Sequence, residues 1–377
     1  MEAETGPQGN GPTPERFPAG GPVGLEVRGL VRRYARDVTV GPISFAVAEG
    51  EFFSLLGPSG CGKTTTLRCI AGFEPVDAGA IELAGRRIER VPPHKREIGL
   101  VFQTPTLFPH LTVSDNVAFG LSVHGVPRRE VARRTAAMLE LVGLSELGQR
   151  TPNQLSGGQQ QRAALARSLV LEPPLLLLDE PFSSLDLKLR VQMREELRKL
   201  QRRLRKTTIF VTHDQTEALA LSHRIAVLSA GHIEQIGTPR EIYGQPASRF
   251  VADFIGNANL LEAEVLGWRE GIAEIATDSG LRLLARAAAA PTARRLTALV
   301  RPELVRIGSA AASAANAFTA EVREIVYLGD EAQYRLRLGA RAELLLVRKL
   351  TDADDTLPDA SVVNVGIDPG DIVLLSR

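Results

Sequence analysis

The sequence predicts an α/β fold up to about Gly256 and a separate small β-barrel domain after it. In the first part, short apolar runs alternate with helix-length segments, which is typical of a parallel sheet covered by helices. After Gly256 the long helical patterns stop and short β-like runs follow one another. A glycine-rich loop at residues 57–64, between a predicted strand and a predicted helix, supports the α/β assignment. With 377 residues, the chain is long enough for two domains with separate cores.

Composition and charge limit the partners and the cell compartment that the sequence predicts. The formal net charge is +1, so overall charge does not favour a nucleic-acid partner. Two cysteines, Cys61 and Cys69, form no disulfide framework and fit a reducing cytoplasm. Residues 1–24, rich in Gly and Pro, are predicted to be a disordered tail without the apolar segment of a secretory signal. No apolar run approaches the roughly 18 residues that cross a bilayer, so we expect any membrane role to depend on a partner.

The glycine-rich loop fits the phosphate-loop pattern G-x-x-x-x-G-K-[ST]. Its residues are Gly57, Pro58, Ser59, Gly60, Cys61, Gly62, Lys63 and Thr64. Glycines let the backbone approach phosphate oxygens, and successive N–H groups form an anion site at a helix N-terminus. Lys63 is expected to reach the β- and γ-phosphates, and the Thr64 hydroxyl to ligate Mg²⁺. A chance Gly-rich turn is disfavoured because the strand at 52–56 and the helix from Thr65 are both predicted.

Polar residues follow three further predicted strands. Gln103 follows the strand at 98–102, Asp179 and Glu180 follow four leucines at 175–178, and His213 follows the strand at 208–212. Carboxyl ends of parallel strands meet at one sheet edge, so these side chains should gather near the phosphate loop. Asp179 suits coordination of Mg²⁺ through water, and Glu180 suits polarising an attacking water. The alternative for the two carboxylates is capping of the next helix; for Gln103 and His213 it is an ordinary structural role.

A second anion site is predicted where a helix starts at about Gln160. The residues before it are Leu155, Ser156, Gly157, Gly158 and Gln159. Asp186 ends a turn that caps a helix over 187–205, whose basic side is interpreted as a solvated face. Upstream, Tyr34 lies among basic residues and is a candidate to stack on a purine; a half-buried strand tyrosine is the alternative.

The remaining pattern completes the domain plan. Residues 104–153 are helix-rich and look like an insertion, 224–236 reads as an edge hairpin, and 239–254 as a closing helix pair. In the β domain, strands are predicted near the following ranges: 260–266, 281–284, 298–300, 318–326, 333–338, 344–347 and 372–375. A small-residue linker is predicted at 310–317.

These motifs, in this order and spacing, resemble the ATPase of ATP-binding-cassette (ABC) transporters of the importer type over about residues 25–256. The segments 301–303 and 327–330 resemble the oligosaccharide-binding-like accessory (TOBE) domain of such importers. The resemblance implies an α/β P-loop nucleotide hydrolase domain at 25–256 with a helical subdomain at about 104–165. It also implies an OB-like small β-barrel at 257–377.

The resemblance further implies ATP and Mg²⁺ as cofactors and a head-to-tail homodimer. Glu180 would be the general base and His213 the γ-phosphate clamp, while Tyr34 and Thr65 would join the phosphate loop and Gln103 in binding ATP. Thr64, Gln103 and Asp179 would hold Mg²⁺. Residues 155–159 and Asp186 would act in trans on the partner's nucleotide. Residues 104–120 would face an integral membrane permease at the cytoplasmic face of the membrane, with a solute-binding protein as an indirect partner and no nucleic acid.

The transported solute rests on resemblance alone. The segment 250–259 and the β domain look most like importers of polyamines, with ferric iron as the alternative. Sugar importers usually carry a Pro and a Met-Asn pair after Ile-Gly, whereas Asn257, Ala258 and Asn259 stand here. A non-transport ABC ATPase acting on DNA or ribosomes is disfavoured by the single cassette and the lack of a heptad stretch. A non-hydrolysing regulatory module is disfavoured by the presence of Glu180 and His213.

Cys61 lies in the phosphate loop, near a helix N-terminus and Lys63. This setting is expected to favour the thiolate. Alkylation should therefore inhibit turnover, and bound ATP should protect the thiol.

Overall fold

A computed structural model of the protein describes residues 22–35, 38–311, 313–339, 342–349, 357 and 360–376. Of the predicted disordered tail, residues 1–21 lie outside the described residues, and the first strand already begins at Val23. The structure divides into two compact units that meet between Pro239 and Arg240. This division differs from the boundary predicted after residue 256, because most of the helix pair at 239–254 packs with the second unit.

The first unit contains ten strands and six complete α-helices among its described residues. The strands are β1 Val23–Ala35, β2 Val38–Ala48, β3 Phe52–Leu56, β4 Ala78–Leu83, β5 Arg86–Arg87, β6 Ile98–Val101, β7 Leu175–Asp179, β8 Thr207–Thr212, β9 Arg224–Ser229 and β10 His232–Gly237. The helices are α1 Lys63–Ala71, α2 Val113–Val123, α3 Arg128–Leu141, α4 Gly157–Leu169, α5 Leu187–Leu204 and α6 Gln215–Leu221.

A six-stranded sheet with the order β10-β9-β3-β8-β7-β6 forms the centre of this unit. The strands from β9 to β6 are parallel, and β10 pairs antiparallel with β9 as the predicted edge hairpin. Every residue of β3, β7 and β8 is buried, which explains their continuous apolar character. Four adjacent strands of these five, β3, β8, β7 and β6, therefore end at the edge where the predicted loop and polar residues follow them.

Helices α2, α3 and α4 share an apolar cluster separate from the cluster beneath the sheet. The Thr112 hydroxyl caps α2 by accepting from the backbone N–H of Asp115. Helix α4 begins at Gly157 and not near Gln160, because Ser156 is the N-cap and the two glycines already have helical geometry. The glycines of the predicted second anion site therefore form the first turn of the helix.

The second unit begins with two short helices and continues as strands. The helices are α7 Pro239–Gly244, whose first residue lies in the first unit, and α8 Arg249–Phe254. The strands are β11 Asn259–Arg269, β12 Ile272–Thr277, β13 Arg282–Arg286, β14 Arg295–Val300, β15 Arg306–Ile307, β16 Asn316–Tyr327, β17 Glu331–Leu338, β18 Ala342–Lys349, β19 Val362–Ile367 and β20 Ile372–Leu375.

These strands form two five-stranded antiparallel sheets, β13-β12-β11-β14-β20 and β15-β19-β16-β17-β18, around one apolar core. Tyr334, Leu336 and Leu338 point into that core, as their alternation with arginines predicts. The predicted barrel-like β domain is confirmed. The linker predicted at 310–317 is wrong at both ends, because a 3₁₀ helix covers Gly308–Ala311 and β16 begins at the buried Asn316. Strands β12 and β19 were not predicted, since alanine, glycine and asparagine weaken their strand pattern.

Arg301 holds α7 and α8 against the β core of the second unit. It is 4% exposed, and its guanidinium donates to the carbonyls of Ala252 (3.1 Å), Asn257 (2.9 Å) and Tyr243 (3.0 Å). Its Cζ also lies 4.3 Å from the centroid of the Tyr243 ring. One side chain therefore satisfies three carbonyls of the connecting segment, which explains why this segment belongs to the second unit.

Arg301→Met is expected to destabilise the second unit by about 3 kcal/mol, because three carbonyls lose charge-assisted donors while little volume changes. Thermal unfolding together with limited proteolysis of the full chain measures this effect. Arg282→Met is the control: Arg282 is exposed in the same unit and pairs with Glu274 at 3.6 Å, so a change under about 1 kcal/mol is expected. Equal unfolding midpoints for the two variants would contradict the role given to Arg301.

Candidate functional site

The phosphate loop connects β3 to α1 and has the backbone that its glycines predict. Gly62 caps α1 with φ 101°, and a Cβ on Gly57 would lie 2.3 Å from the Leu228 carbonyl oxygen. Lys63 is 5% exposed, and its ammonium donates to the carbonyls of Gly57 (2.8 Å) and Pro58 (2.9 Å). Its remaining contact is with the Cys61 sulfur at 3.9 Å. Sulfur is a weak acceptor, so this third donor is available to an anion in the loop.

Asp179 ends β7 beside the start of α1. It is 6% exposed, and its Oδ1 accepts from the Thr64 hydroxyl at 3.0 Å. Burial raises the pKa of Asp179, while the Thr64 hydrogen bond and the nearby Arg68 and Lys63 act in the opposite direction. A buried carboxylate beside a hydroxyl offers hard oxygen donors to a cation. Thr64 and Asp179, two of the three residues that the resemblance implies for Mg²⁺, are thus in direct contact.

Glu180 contacts His213 across the ends of β7 and β8. Its Oε2 lies 3.1 Å from Nδ1 of His213. The Glu180 backbone is left-handed, with φ 44°, a conformation that costs a non-glycine residue about 1–2 kcal/mol. It is held by hydrogen bonds from its N–H to the Val211 carbonyl (3.0 Å) and from the Ser183 hydroxyl to its own carbonyl (3.0 Å). Strain maintained at one carboxylate by such contacts is typical of a functional position.

Tyr34 and Gln103 are both exposed, but of these two only Tyr34 has a side-chain hydrogen bond near the phosphate loop among the described residues. Tyr34 is 48% exposed, and its hydroxyl donates to the Thr65 hydroxyl at 3.3 Å. The Arg32 guanidinium carbon lies 4.7 Å from the Tyr34 ring centroid. Arg32 in turn pairs with Glu74 and with Asp77, each at 3.2 Å, and was not predicted to matter. Gln103 follows the end of β6 by two residues and is exposed.

The second predicted anion site forms a capping box. Ser156 accepts from the Gln159 N–H (3.4 Å), and Gln159 Oε1 accepts from the Ser156 N–H (3.0 Å). Gly158 allows α4 to approach α5, since a Cβ there would lie 2.8 Å from a Leu189 methyl. Asp186 caps α5 by accepting from the Leu189 N–H at 2.9 Å. Among the described residues, the side-chain hydrogen bonds of Ser156 and Asp186 stay within their own helix caps, so the chain does not bring them to its own phosphate loop.

The expected lowering of the Cys61 pKa is wrong, because the structure raises it. Its side chain is buried, and burial raises the pKa of the thiol above its ordinary value of 9.0. The nearby Lys63 lowers that pKa, but by less than burial raises it. The neutral thiol therefore dominates at neutral pH.

Alkylation of Cys61 is expected to be slow at pH 7 and to accelerate as pH rises toward the raised pKa, about tenfold per unit below it. A Cys69→Ala background isolates Cys61, because Cys69 is the other cysteine of the chain. Burial raises the pKa of Cys69 to about 11, so its own labelling would follow a different pH dependence. The test is the rate of iodoacetamide labelling from pH 7 to 10, measured by intact-mass spectrometry. The unfolded chain, whose thiol is exposed, is the control for fast labelling. Rapid, pH-independent labelling of the folded chain would contradict it.

The fold and this edge define a P-loop nucleotide-binding protein with a central parallel sheet. Residues 40–183 match the ABC transporter family, and residues 298–375 match the TOBE domain family. The chain is 47% identical over 362 residues to the spermidine/putrescine import ATP-binding protein PotA of Rubrobacter xylanophilus, covering 94% of each chain. It is 50% identical over 325 residues to the sulfate/thiosulfate import ATP-binding protein CysA 2 of Chromobacterium violaceum, covering 85% of this chain and 86% of that one.

Among solved structures, cbiO1 of Clostridium perfringens, part of the ABC transporter complex cbiONQ, matches with a TM-score of 0.55. It is 30% identical, and the match covers 58% of this chain and 90% of that one. The chain belongs to the ATP-binding proteins of ABC transporters. The predicted family, P-loop fold, TOBE domain and ATPase class are confirmed. No helix in the described ranges is long and apolar enough to span a membrane.

Proposed function

We propose that this protein is the ATP-hydrolysing subunit of an ABC import complex that takes up polyamines of the spermidine/putrescine type through a separate permease. The observation that carries the proposal is the convergence at one sheet edge. The phosphate loop, the Thr64–Asp179 pair and the Glu180–His213 pair follow three adjacent parallel strands, β3, β7 and β8. ATP hydrolysis requires three parts: a loop that binds phosphates, oxygen donors for a cation, and a carboxylate that activates the attacking water.

The phosphates of ATP bind in the loop, where backbone N–H groups at the start of α1 and the Lys63 ammonium offset their charge. Adenine stacks on Tyr34, whose ring Arg32 orients through its contact at 4.7 Å. Mg²⁺, when bound with ATP, would neutralise charge between the phosphates, with Thr64, Asp179 and Gln103 holding it directly or through water. No cluster of three His, Cys, Asp or Glu side chains with metal-binding geometry occurs among the described residues, so ATP oxygens and water would complete the shell.

Glu180 accepts the proton of the attacking water, and His213 contacts the γ-phosphate. The 3.1 Å contact between them uses Nδ1 of His213, which leaves the other ring nitrogen for the phosphate. The left-handed backbone of Glu180 holds the carboxylate at the end of β7 without a rotation at the moment of reaction.

The other half of the site comes from a second copy. Ser156, Gly157 and Gly158 present the N-terminus of the thirteen-residue helix α4, and Leu155, Gln159 and Asp186 complete the surface that closes over the partner's nucleotide. ATP then contacts both copies and stabilises the homodimer, and hydrolysis removes those contacts. This difference in binding free energy drives the rearrangement of the permease.

The permease is proposed to dock on residues 104–120. The buried Asn116 fixes this segment by bonding the N–H (2.8 Å) and carbonyl (3.1 Å) of Phe108. The Phe108 ring packs against the exposed Phe119 at 4.6 Å, which leaves an aromatic surface for a partner helix. In this arrangement the protein lies at the cytoplasmic face of the membrane, and a solute-binding protein is an indirect partner.

Uptake in a strain lacking the gene for this chain tests the solute. We expect uptake of labelled spermidine to require the wild-type chain and not to be restored by Glu180→Gln. Sulfate is the second candidate, because the relative with 50% identity is named for sulfate/thiosulfate import. Selective loss of labelled sulfate uptake would replace the polyamine proposal, and selective loss of ferric-iron uptake would favour the third option. Unchanged uptake of all three would contradict an import role for these solutes.

A further inference from the structure

Thr212 and Asp214, the neighbours of His213 in the chain, both form hydrogen bonds with Glu217. The Thr212 hydroxyl donates to Glu217 Oε2 at 2.6 Å, and both side chains are buried. The backbone N–H of Asp214 donates to the Thr212 hydroxyl at 3.0 Å, and Asp214 Oδ1 accepts from the N–H of Glu217 at 3.1 Å. These bonds join Thr212, Asp214 and Glu217 in one hydrogen-bonded ring, and Thr212 and Asp214 are the two neighbours of His213 in the chain. Glu217 therefore holds the backbone that carries the imidazole.

A single guanidinium joins this ring to the turn before α5. Arg190 Nη1 lies 3.5 Å from Asp214 Oδ2, and Nε lies 3.9 Å from Glu217 Oε1. Its Nη2 donates to the carbonyl of Leu185 at 3.3 Å, and its backbone N–H donates to the carbonyl of Asp186 at 2.9 Å. Leu185 is buried in this turn next to Asp186, which is proposed to face the partner copy. Arg190 thus contacts Asp214 and Glu217 on one side and the turn that ends at Asp186 on the other.

Glu217 needs this cation. It is 4% exposed, and burial raises its pKa, while Thr212 and Arg190 act in the opposite direction. A buried carboxylate that loses a nearby guanidinium either takes up a proton or moves toward water. Either response changes the hydrogen bond to Thr212. The geometry also suits arginine better than lysine, because Nη1 lies 3.5 Å from Asp214 and Nη2 donates to Leu185, while Nε is ion-paired with Glu217 at 3.9 Å without a hydrogen bond.

We propose that Arg190 and Glu217 are positioning residues that couple the Asp186 turn to His213, so that the catalytic contact between His213 and Glu180 depends on how the partner copy engages Asp186. This inference rests on the proposed head-to-tail dimer. It deepens that proposal by naming the side chains through which docking at one surface reaches the hydrolytic groups.

Steady-state ATPase kinetics of the full chain test the pair. Arg190→Met and Glu217→Gln are expected to lower kcat by about 10- to 100-fold, since misplacement of a catalytic group has effects of that size. KM for ATP should change by less than about threefold, because neither residue lies at the phosphate loop. Arg190→Lys should recover part of kcat, since it keeps the charge and loses the fork. Arg198→Met, at an exposed position of the same helix, is the matched control and should behave as wild type.

Two further measurements separate positioning from folding. The unfolding midpoint should stay close to wild type for Glu217→Gln, whose amide retains an acceptor for Thr212 and loses only the charge that pairs with Arg190. In a double-mutant cycle, Arg190→Met should add less than about threefold to the loss caused by Asp186→Ala, because both act through one turn. Full additivity of these two losses, or a normal kcat in both Arg190→Met and Glu217→Gln, would overturn the inference.

Failure of the proposed function gives a different result. If Glu180→Gln does not dimerise with ATP, the head-to-tail dimer is contradicted without reference to Arg190, and the partner-dependent part of the inference is overturned with it. If that dimer forms and the cycle is additive, the proposed function stands and the coupling through Arg190 is overturned. Size-exclusion chromatography with ATP shows whether the Glu180→Gln chain forms the dimer, with and without Arg190→Met. Read together with the double-mutant cycle, this result separates the two cases.

Discussion

Glu180→Gln is expected to lower ATP turnover by about 10²–10⁴-fold, roughly 3–5 kcal/mol in the barrier, because an amide cannot accept the proton of the attacking water. The substitution preserves size and leaves an oxygen within reach of His213 Nδ1, so the contact at 3.1 Å need not be lost. Affinity for ATP should therefore change little. Single-turnover hydrolysis and equilibrium binding of a fluorescent ATP analogue measure the two quantities separately.

The same variant should accumulate as an ATP-bound dimer, because ATP that is not hydrolysed keeps both halves in contact. Glu195→Gln, an exposed glutamate on α5, is the control and should neither lose turnover nor trap a dimer. Near-normal turnover in Glu180→Gln would remove Glu180 from the role of general base. A monomer with tightly bound ATP would leave that role intact and contradict the shared site.

Mixing two inactive variants is expected to restore ATPase activity if each site combines residues of two copies. Lys63→Ala removes a preorganised donor to the phosphates and should lower turnover by about 10²–10³-fold. Ser156→Arg should have an effect of similar size by placing a bulky cation at the N-terminus of α4. In a mixed dimer, the phosphate loop of the Ser156→Arg chain meets the unaltered residues 155–159 of the Lys63→Ala chain. One of the two sites is then intact, so an equal mixture should reach about a quarter of wild-type turnover.

The matched control carries both substitutions on one chain. Mixed with either single variant at the same total concentration, the double variant leaves no intact site and should restore nothing. Ser156→Arg also removes an N-cap, at a cost of about 1 kcal/mol, so its unfolding midpoint is measured alongside. No recovery in the mixture of two folded single variants, despite mixed-dimer formation, would show that Ser156 does not act in trans.

Much of this site follows from local sequence because its chemistry is carried by short motifs with narrow backbone requirements. Lys63 and Thr64 begin α1 directly after Gly62, whose positive φ requires glycine. The run of leucines at 175–178 is apolar enough to be recognised as a central strand, so Asp179 could be placed at its end. The same reasoning is weaker for alanine-rich and glycine-containing strands, and β12 and β19 were missed for that reason.

Other features depend on residues far apart in the chain. The raised pKa of Cys61 comes from burial, which outweighs the adjacent Lys63 that the sequence made visible. The helix pair at 239–254 joins the second unit because Arg301, more than forty residues away, bonds its carbonyls. Arg32 behind Tyr34 was likewise missed, since its partners Glu74 and Asp77 come from another part of the chain.

The sequence by itself determined the fold class, the phosphate loop, the order of polar residues after the strands and the family, because each of these is a short-range pattern in which neighbouring residues satisfy one another's geometric needs. Only the tertiary structure decided that Glu180 is left-handed and contacts His213, and that Arg190 links Asp214 and Glu217 to the turn at Leu185. These are consequences of burial and of contacts between distant segments. Desolvation and through-space charge depend on which segments pack together, and no local pattern records that.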